Sequence, residues 1–276
     1  MSPKHTIYCL GEVLLALDAD APLAHAESFR PRLGGDAAVL AQACAAQGGC
    51  ASLLAQLGED PFGQRAASTL AAAGVDTTHA SFSRTLPTAL LFEAGGEACS
   101  YHVRTAGLQF APEQLEPGLF QPGDALLFAS SGLCDSPLRY THLAALTAAR
   151  DAGALCCYLP RLAQAAPYWP QREALCQTAL QFLDRADVLF LEESDLLLLF
   201  GSRELRTALF ALFTGHVQLI FFYKKDRILA FTRSVMASAA KKDQSPALVL
   251  YRMEKMMLPV SSLPRLKESE LNALIG

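Results

Sequence analysis

The chain has 276 residues, 51% of them hydrophobic and 18% charged, with a formal net charge of −4. That is enough apolar material for a large core, and the low charged fraction points to extensive burial, an oligomer interface, or both. The acidic balance excludes a global attraction to nucleic acid or anionic membrane, although residues 184–276 carry 13 Lys and Arg against 11 Asp and Glu.

From the N-terminus, Met1-Ser2-Pro3-Lys4-His5 leads into a short buried strand at Thr6–Leu10 that ends at Gly11-Glu12. An extended piece follows at Val13–Leu17. An Ala-rich helix at 37–47 opens after the Gly34-Gly35 turn. A strand is expected at Cys50–Leu57 and a helix at Gly63–Ala73, closed by Gly74 at the position that favours positive φ. Extended runs at Thr88–Glu93 and Ala98–Arg104 flank Gly95-Gly96, a hairpin signal.

Strands at Ala125–Ala129, Leu155–Leu159 and Val188–Leu191 then alternate with helices at Leu143–Ala152, Arg172–Ala186, Ser194–Phe200 and Ser202–Thr214. Leu219–Tyr223 and Ile228–Phe231 form a hairpin around Lys225-Asp226. Past Phe231 the periodicity weakens, with a loop at 241–246 and helical turns at Glu268–Ile275. Short apolar strands alternating with helices predict an α/β fold, with a mostly parallel central sheet and helices on both faces. No Pro/Ser/Gly-rich linker interrupts it, so a single domain over 1–276 is expected. Eight scattered cysteines with no C-x-x-C, apolar runs too short for a bilayer and no signal peptide place the chain in a reducing cytoplasm.

Several segments share an order: Leu33-Gly34-Gly35-Asp36, Leu57-Gly58-Glu59-Asp60-Pro61-Phe62-Gly63, Gly74-Val75-Asp76-Thr77, the Gly95-Gly96 hairpin, Arg161 with Trp169, and the acidic run Glu192–Asp195. Together they resemble the PfkB (ribokinase-like) carbohydrate kinases, most nearly the fructokinases, over roughly residues 6–231. The resemblance implies a three-layer sandwich with a small β lid formed here by about 13–33 and 88–104, a homodimer through that lid, a sugar ligand, and Mg-ATP as phosphoryl donor. It also implies the chemistry: a carboxylate and an amide anchor sugar hydroxyls, and a Gly-Ala-Gly-Asp turn opens a helix. That helix's N–H groups stabilise the transferred phosphoryl, and its Asp takes the hydroxyl proton.

Measured against that pattern, the family's Asp after Gly11-Glu12 falls at Ala16 and its Asn after Gly34-Gly35 at Val39. The Asp and Asn before Arg161 fall at Cys157 and Leu159. Asn-x-x-Glu becomes Glu192-Glu193-Ser194-Asp195, and the nucleotide-contacting Thr-x-Gly becomes part of Phe222-Tyr223-Lys224-Lys225-Asp226. No Gly-Ala-Gly-Asp occurs, and no glycine lies between Gly215 and Gly276. Losing a general base costs roughly 10²–10⁴-fold, and losing one oxyanion donor roughly 10²–10³-fold. No catalytic residue is therefore assigned, and a binding or regulatory protein is expected, with an active fructokinase-like enzyme as the alternative. The C-terminal part reads as truncated relative to the family, which predicts uncovered apolar sheet surface or a non-native tail.

The candidate ligand residues are Gly34, Gly35, Asp36, Asp18, His102, Arg104 and Arg161 for substrate, and Glu192, Asp195 and Lys224 for nucleotide; no metal ligand is assigned. Each has a plainer reading. Asp36 is equally a helix-opening carboxylate and Arg161 a salt-bridge partner, the acidic run suits either Mg²⁺ or a helix dipole, and Lys224 sits at an ordinary charged hairpin. His102 and Arg104 lie in the lid, facing either the cleft or a dimer seam.

Overall fold

The structure, a computed structural model, describes residues 5–213, 215–240 and 245–276. The first strand, β1 (Thr6–Leu10), leads into β2 (Leu14–Asp18) and β3 (Arg30–Gly34), then α1 (Asp36–Ala46). β4 (Cys50–Leu54), β5 (Gln56–Gly58), α2 (Pro61–Ala72), β6 (Ser81–Ser83), β7 (Ala89–Ala94) and β8 (Glu97–Tyr101) complete the N-terminal third. Next come β9 (Ala125–Ala129), α3 (Pro137–Asp151), β10 (Leu155–Leu159), α4 (Leu162–Ala165) and α5 (Arg172–Leu183). The rest comprises β11 (Val188–Glu192), α6 (Glu193–Phe200), α7 (Leu205–Leu212), β12 (Leu219–Tyr223), β13 (Arg227–Phe231), β14 (Met236–Ala240), α8 (Pro246–Lys255) and α9 (Glu268–Ile275).

The central sheet has eight strands in the order β14-β13-β12-β11-β10-β9-β1-β4. Pairing is parallel from β4 to β12 and antiparallel through β13 and β14. Successive strand residues enter opposite cores, as a period of two requires. Ile7, Cys9, Leu127 and Phe221 pack with α1, α2, α8 and α9 on one face. Tyr8, Leu10, Phe128 and Phe222 pack with α3, α5, α6 and α7 on the other. Both faces are buried, which is why β9, β10 and β12 read as unbroken apolar runs.

β1 lies between β4 and β9, so the chain reverses direction across the sheet there, and the carboxyl ends of β1 and β9 frame a crevice. Over it stands the lid, a four-stranded sheet in the order β3-β2-β7-β8. Among the described residues no helix is long and apolar enough to cross a membrane.

Three expectations are corrected. The run Cys50–Leu57 is not one strand: it breaks at Ala55, and β5 leaves the main sheet to pair with β6. The helix expected at Leu143 starts at Pro137, whose fixed φ suits the first helical position. Most importantly, the segment after Phe231 is not a non-native tail. β14 extends the sheet, and Leu250, Met253, Leu263, Leu266, Leu271, Leu274 and Ile275 are each at most 3% exposed in the core shared with α1. The helical turns expected at Glu268–Ile275 are α9, while in the ten residues of α8 the apolar spacing is too short to stand out in sequence. The loop expected at 241–246 lies mainly in residues 241–244, outside the described residues; its last residue, Pro246, already begins α8.

Candidate functional site

The chain enters the crevice three times. Gly11-Glu12 follows β1, Ser130-Ser131 follows β9, and Arg161 follows β10. Alternation on the lid strands turns Leu14, Arg32, Gly34, Leu91, Glu93, Ala98 and Ser100 towards the same space. The result is a cleft of about 360 Å³ between lid and sheet, also lined by Glu12, Gly35, Asp36, Val39, Ser131, Gln164 and Pro167.

Asp36 opens α1 just after Gly35, whose φ is 84°. That conformation and the space beside it exclude a side chain: a Cβ there would stand 2.3 Å from the Glu12 carbonyl oxygen. Arg161 holds a left-handed backbone (φ 44°, ψ 47°) as it opens α4, a cost of order 1 kcal/mol for a non-glycine residue. Its guanidinium donates to Asp36 Oδ1 at 2.5 Å, with side-chain exposures of 27% and 13%. The pair spans the cleft floor. Below it, Ser130 Oγ and the buried Tyr158 hydroxyl are 2.5 Å apart, and Trp169 Nε1 donates to the Ser130 carbonyl at 3.3 Å.

Of the residues singled out in sequence, Gly34, Gly35, Asp36 and Arg161 come together in this cleft. The others lie elsewhere. Asp18 stands further out on the lid's inner face, accepting from Arg32 Nε at 2.7 Å, while Arg32 also bridges to Glu93. His102 is half-buried after β8, its Nδ1 2.9 Å from Ser100 Oγ, and burial lowers its pKa. Arg104 is exposed with φ 59°. Glu192, Asp195 and Lys224 lie at the carboxyl ends of β11 and β12, outside the lid cleft.

Asp195 is occupied structurally: Oδ1 accepts from Leu162 N and Oδ2 from Glu192 N, both at 2.9 Å. Burial raises its pKa to about 6 despite those donors. Each oxygen thus already accepts one backbone N–H. Among the described residues no cluster of three His, Cys, Asp or Glu side chains is arranged to hold a metal ion.

Phosphate binding meets a similar obstacle at α8. The far end of this helix packs near the start of β1, with Met253, Glu254 and Met257 beside Thr6, so its N-terminus points to the carboxyl-end side of the sheet. Its first residue is Pro246, which has no N–H, and the N–H of Leu248 is taken by Ser245 Oγ at 3.2 Å. A helix terminus closed by its own cap and a proline does not fit a triphosphate cradle.

Sequence reasoning missed Glu12, Arg32, Glu93, Ser100, Ser131 and Gln164 as cleft residues. Glu12 was visible as the acid ending β1. The others carry no local signal, because strand alternation and topology alone bring them inward. Conversely, the substituted positions behave as their chemistry dictates. Val39 lines the cleft with a hydrocarbon surface, Ala16 is wholly buried in the lid, and Cys157 and Leu159 lie in the core.

Comparison with known proteins places this geometry in context. The profile of the pfkB family of carbohydrate kinases matches residues 4–224. Probable fructokinase-4 of Arabidopsis thaliana is 30% identical over 207 residues, covering 72% of this chain and 63% of that protein. Fructokinase-1 of Zea mays is 32% identical over 206 residues, again 72% of this chain and 63% of the relative. The chain thus spans 63% of the length of these curated relatives. Among solved structures, a fructokinase from Xylella fastidiosa superposes with a TM-score of 0.88 at 24% identity, over 98% of this chain and 90% of that one. A structure of fructokinase with bound ATP, also from Xylella fastidiosa, gives 0.85 at 25% identity over 99% and 90%.

Proposed function

This chain belongs to the pfkB family of carbohydrate kinases, and from that premise we propose that it binds a fructose-like sugar beneath its lid but is impaired in phosphoryl transfer, acting by binding or regulation. The observation that carries this reading is the start of α8. The helix after β14 opens on Ser245-Pro246, with one N–H missing and another capped, and no Gly-Ala-Gly-Asp occurs anywhere in the chain. No carboxylate base and no free cluster of amide donors stand there among the described residues. Asp195 and Asp18, the candidate replacement carboxylates, are held by backbone N–H groups and by Arg32 respectively. These contacts support the reading that Mg-ATP is held poorly here.

The sugar half of the reading rests on the intact cleft. Asp36 and Glu93 offer acceptors, Arg161 and Arg32 donors, and Ser100, Ser131 and Gln164 groups of both kinds. The fully buried thiols of Cys9, Cys44 and Cys157 suit a reducing compartment, in keeping with a cytoplasmic protein. The lid's outer face carries Leu23, Phe29, Leu90, Phe92, Cys99 and Tyr101, an apolar surface suited to a homodimer. Sedimentation of the purified chain tests that association.

The deciding experiment measures ATP-dependent phosphorylation across a panel of hexoses, pentoses and nucleosides, beside thermal shifts with the same ligands. Expected is a saturable shift with a fructose-like sugar and no turnover. At a hundred times its Kd a ligand stabilises by ~2.7 kcal/mol. Turnover that disappears in Asp36→Asn or Asp195→Asn would instead establish an active kinase built from substituted residues.

A further inference from the structure

Glu12 lies at the back of the cleft and is only 2% exposed. The fold closes around it from two directions. Gly35 passes so near that a Cβ would stand 2.3 Å from the Glu12 carbonyl oxygen, and a Cβ on Gly107 would stand 2.8 Å from its Cγ. Glycine at 35 admits the Glu12 backbone, and glycine at 107 leaves room for its side chain.

Its hydrogen bonding is incomplete. Thr105 Oγ1 lies 3.4 Å from Glu12 Oε1, but the single Thr105 proton is better placed on the His102 carbonyl, 2.6 Å away. Among the described residues no other donor reaches the carboxyl. The neighbouring cations are engaged: Arg161 with Asp36, and Arg32 with Asp18 and Glu93. The other titratable groups facing it are Asp36 on α1, which opposes its ionisation, and the Cys134 thiol, itself raised by burial. An ionised carboxylate here would stand without a donor at normal distance, an expensive state in a buried site. A neutral acid, by contrast, needs only an acceptor for its proton.

We propose that Glu12 is a ligand-recognising residue of this cleft, a carboxylic acid that donates its O–H to a hydroxyl oxygen of a neutral polyol. This rests on the reading that the cleft binds a sugar. It supplies a polar anchor in a cleft where Val39 offers none. It also defines a preference: donor Glu12 and acceptors Asp36 and Glu93 complement a molecule whose hydroxyls both accept and donate, and disfavour an acidic one. Burial agrees with the geometry, pushing the carboxyl up to about 8, with the Thr105 contact opposing and Asp36 adding to the rise.

The test is calorimetric titration with fructose of the wild type, Glu12→Gln and Glu12→Leu at about pH 6.5 and about pH 9.5, which bracket that value. Wild-type affinity should fall on the order of tenfold between the two, as the donor form is depleted. Glu12→Gln keeps an N–H donor at every pH and should bind with little pH dependence. Glu12→Leu should bind roughly tenfold more weakly at the lower pH, the worth of one hydrogen bond; if it fails to fold, Glu12→Gln alone decides. Wild-type affinity that is flat with pH, or a decline unchanged in Glu12→Gln, overturns the proposal. A wild type that binds no fructose at any pH overturns the sugar reading and this role with it. That failure shows in the wild type alone, whereas failure of the Glu12 role shows as binding indifferent to residue 12.

Discussion

Arg161 Nη1 donates to Asp36 Oδ1 at 2.5 Å, joining the first residue of α1 to a residue 125 positions later that lies just before α4. The contact ties the segment after β10 to the helix that follows β3 on the cleft floor. It also accounts for an arginine in a left-handed conformation, since a partly buried ion pair offsets a local cost of order 1 kcal/mol.

Removing either partner leaves a partly buried charge without its counterpart. Asp36→Ala and Arg161→Ala should each destabilise by about 1–3 kcal/mol, and the double variant by clearly less than their sum. Chemical denaturation of the four proteins in a double-mutant cycle measures the coupling. Additive effects would show that the pair contributes no interaction energy.

Asp195 supplies a pH signature. An unfolded Asp ionises near 3.8, while burial holds folded Asp195 near 6. Between those values the folded state binds more protons, so this group's contribution is full below about 3.8 and is lost as pH rises through about 6. Asp195→Asn lacks the titration. It also loses one of two acceptors, leaving Leu162 N or Glu192 N unpaired at a cost of about 1–3 kcal/mol. The stability difference between wild type and variant, measured by urea unfolding, should therefore be larger at about pH 4 than at about pH 7.

Asp60 ties α2 to the segment entering the lid. One carboxylate accepts from Phe62 N at 3.0 Å, Gly63 N at 2.8 Å and Thr88 N at 2.7 Å. Desolvation pulls its pKa up, but these N–H donors outweigh it and the net shift is downward. Its stabilisation is therefore present above the usual Asp range and lost as pH falls through the lowered value. Asp60→Ala should cost about 1–2 kcal/mol. Gly63→Ala should cost about 1–3 kcal/mol or more, because its Cβ would stand 2.1 Å from the Gly58 carbonyl oxygen. Thermal melts at neutral pH check both.

The C-terminal segment is integral to the core. Leu271 and Leu274 are wholly buried with β14 and α8, so either Leu→Ala change should cost about 2–5 kcal/mol. Limited proteolysis should not release 245–276 from a folded remainder. A folded, cooperative fragment ending near Phe231 would contradict this packing.

Much of this protein was legible in order and type. Buried parallel strands declare themselves as apolar runs such as Ala125–Ala129 and Leu155–Leu159, and Gly34-Gly35 and Gly95-Gly96 mark turns that only particular backbones make. The sequence also named what is chemically absent, since no folding can give the Val39 side chain a hydrogen bond or Pro246 an N–H. What it could not show was convergence. Arg32 and Glu93 meet because β2, β3 and β7 pair in one register, and the Glu12 side chain packs against Gly107 from a distant point of the chain. α8 was likewise invisible, its apolar face too short to show a period, whereas the turns expected at Glu268–Ile275 are α9. Composition and local pattern determine which elements form. Register, burial and long-range ion pairs decide which side chains face one cavity and which charge state they hold, because those depend on distances through space that sequence spacing does not contain.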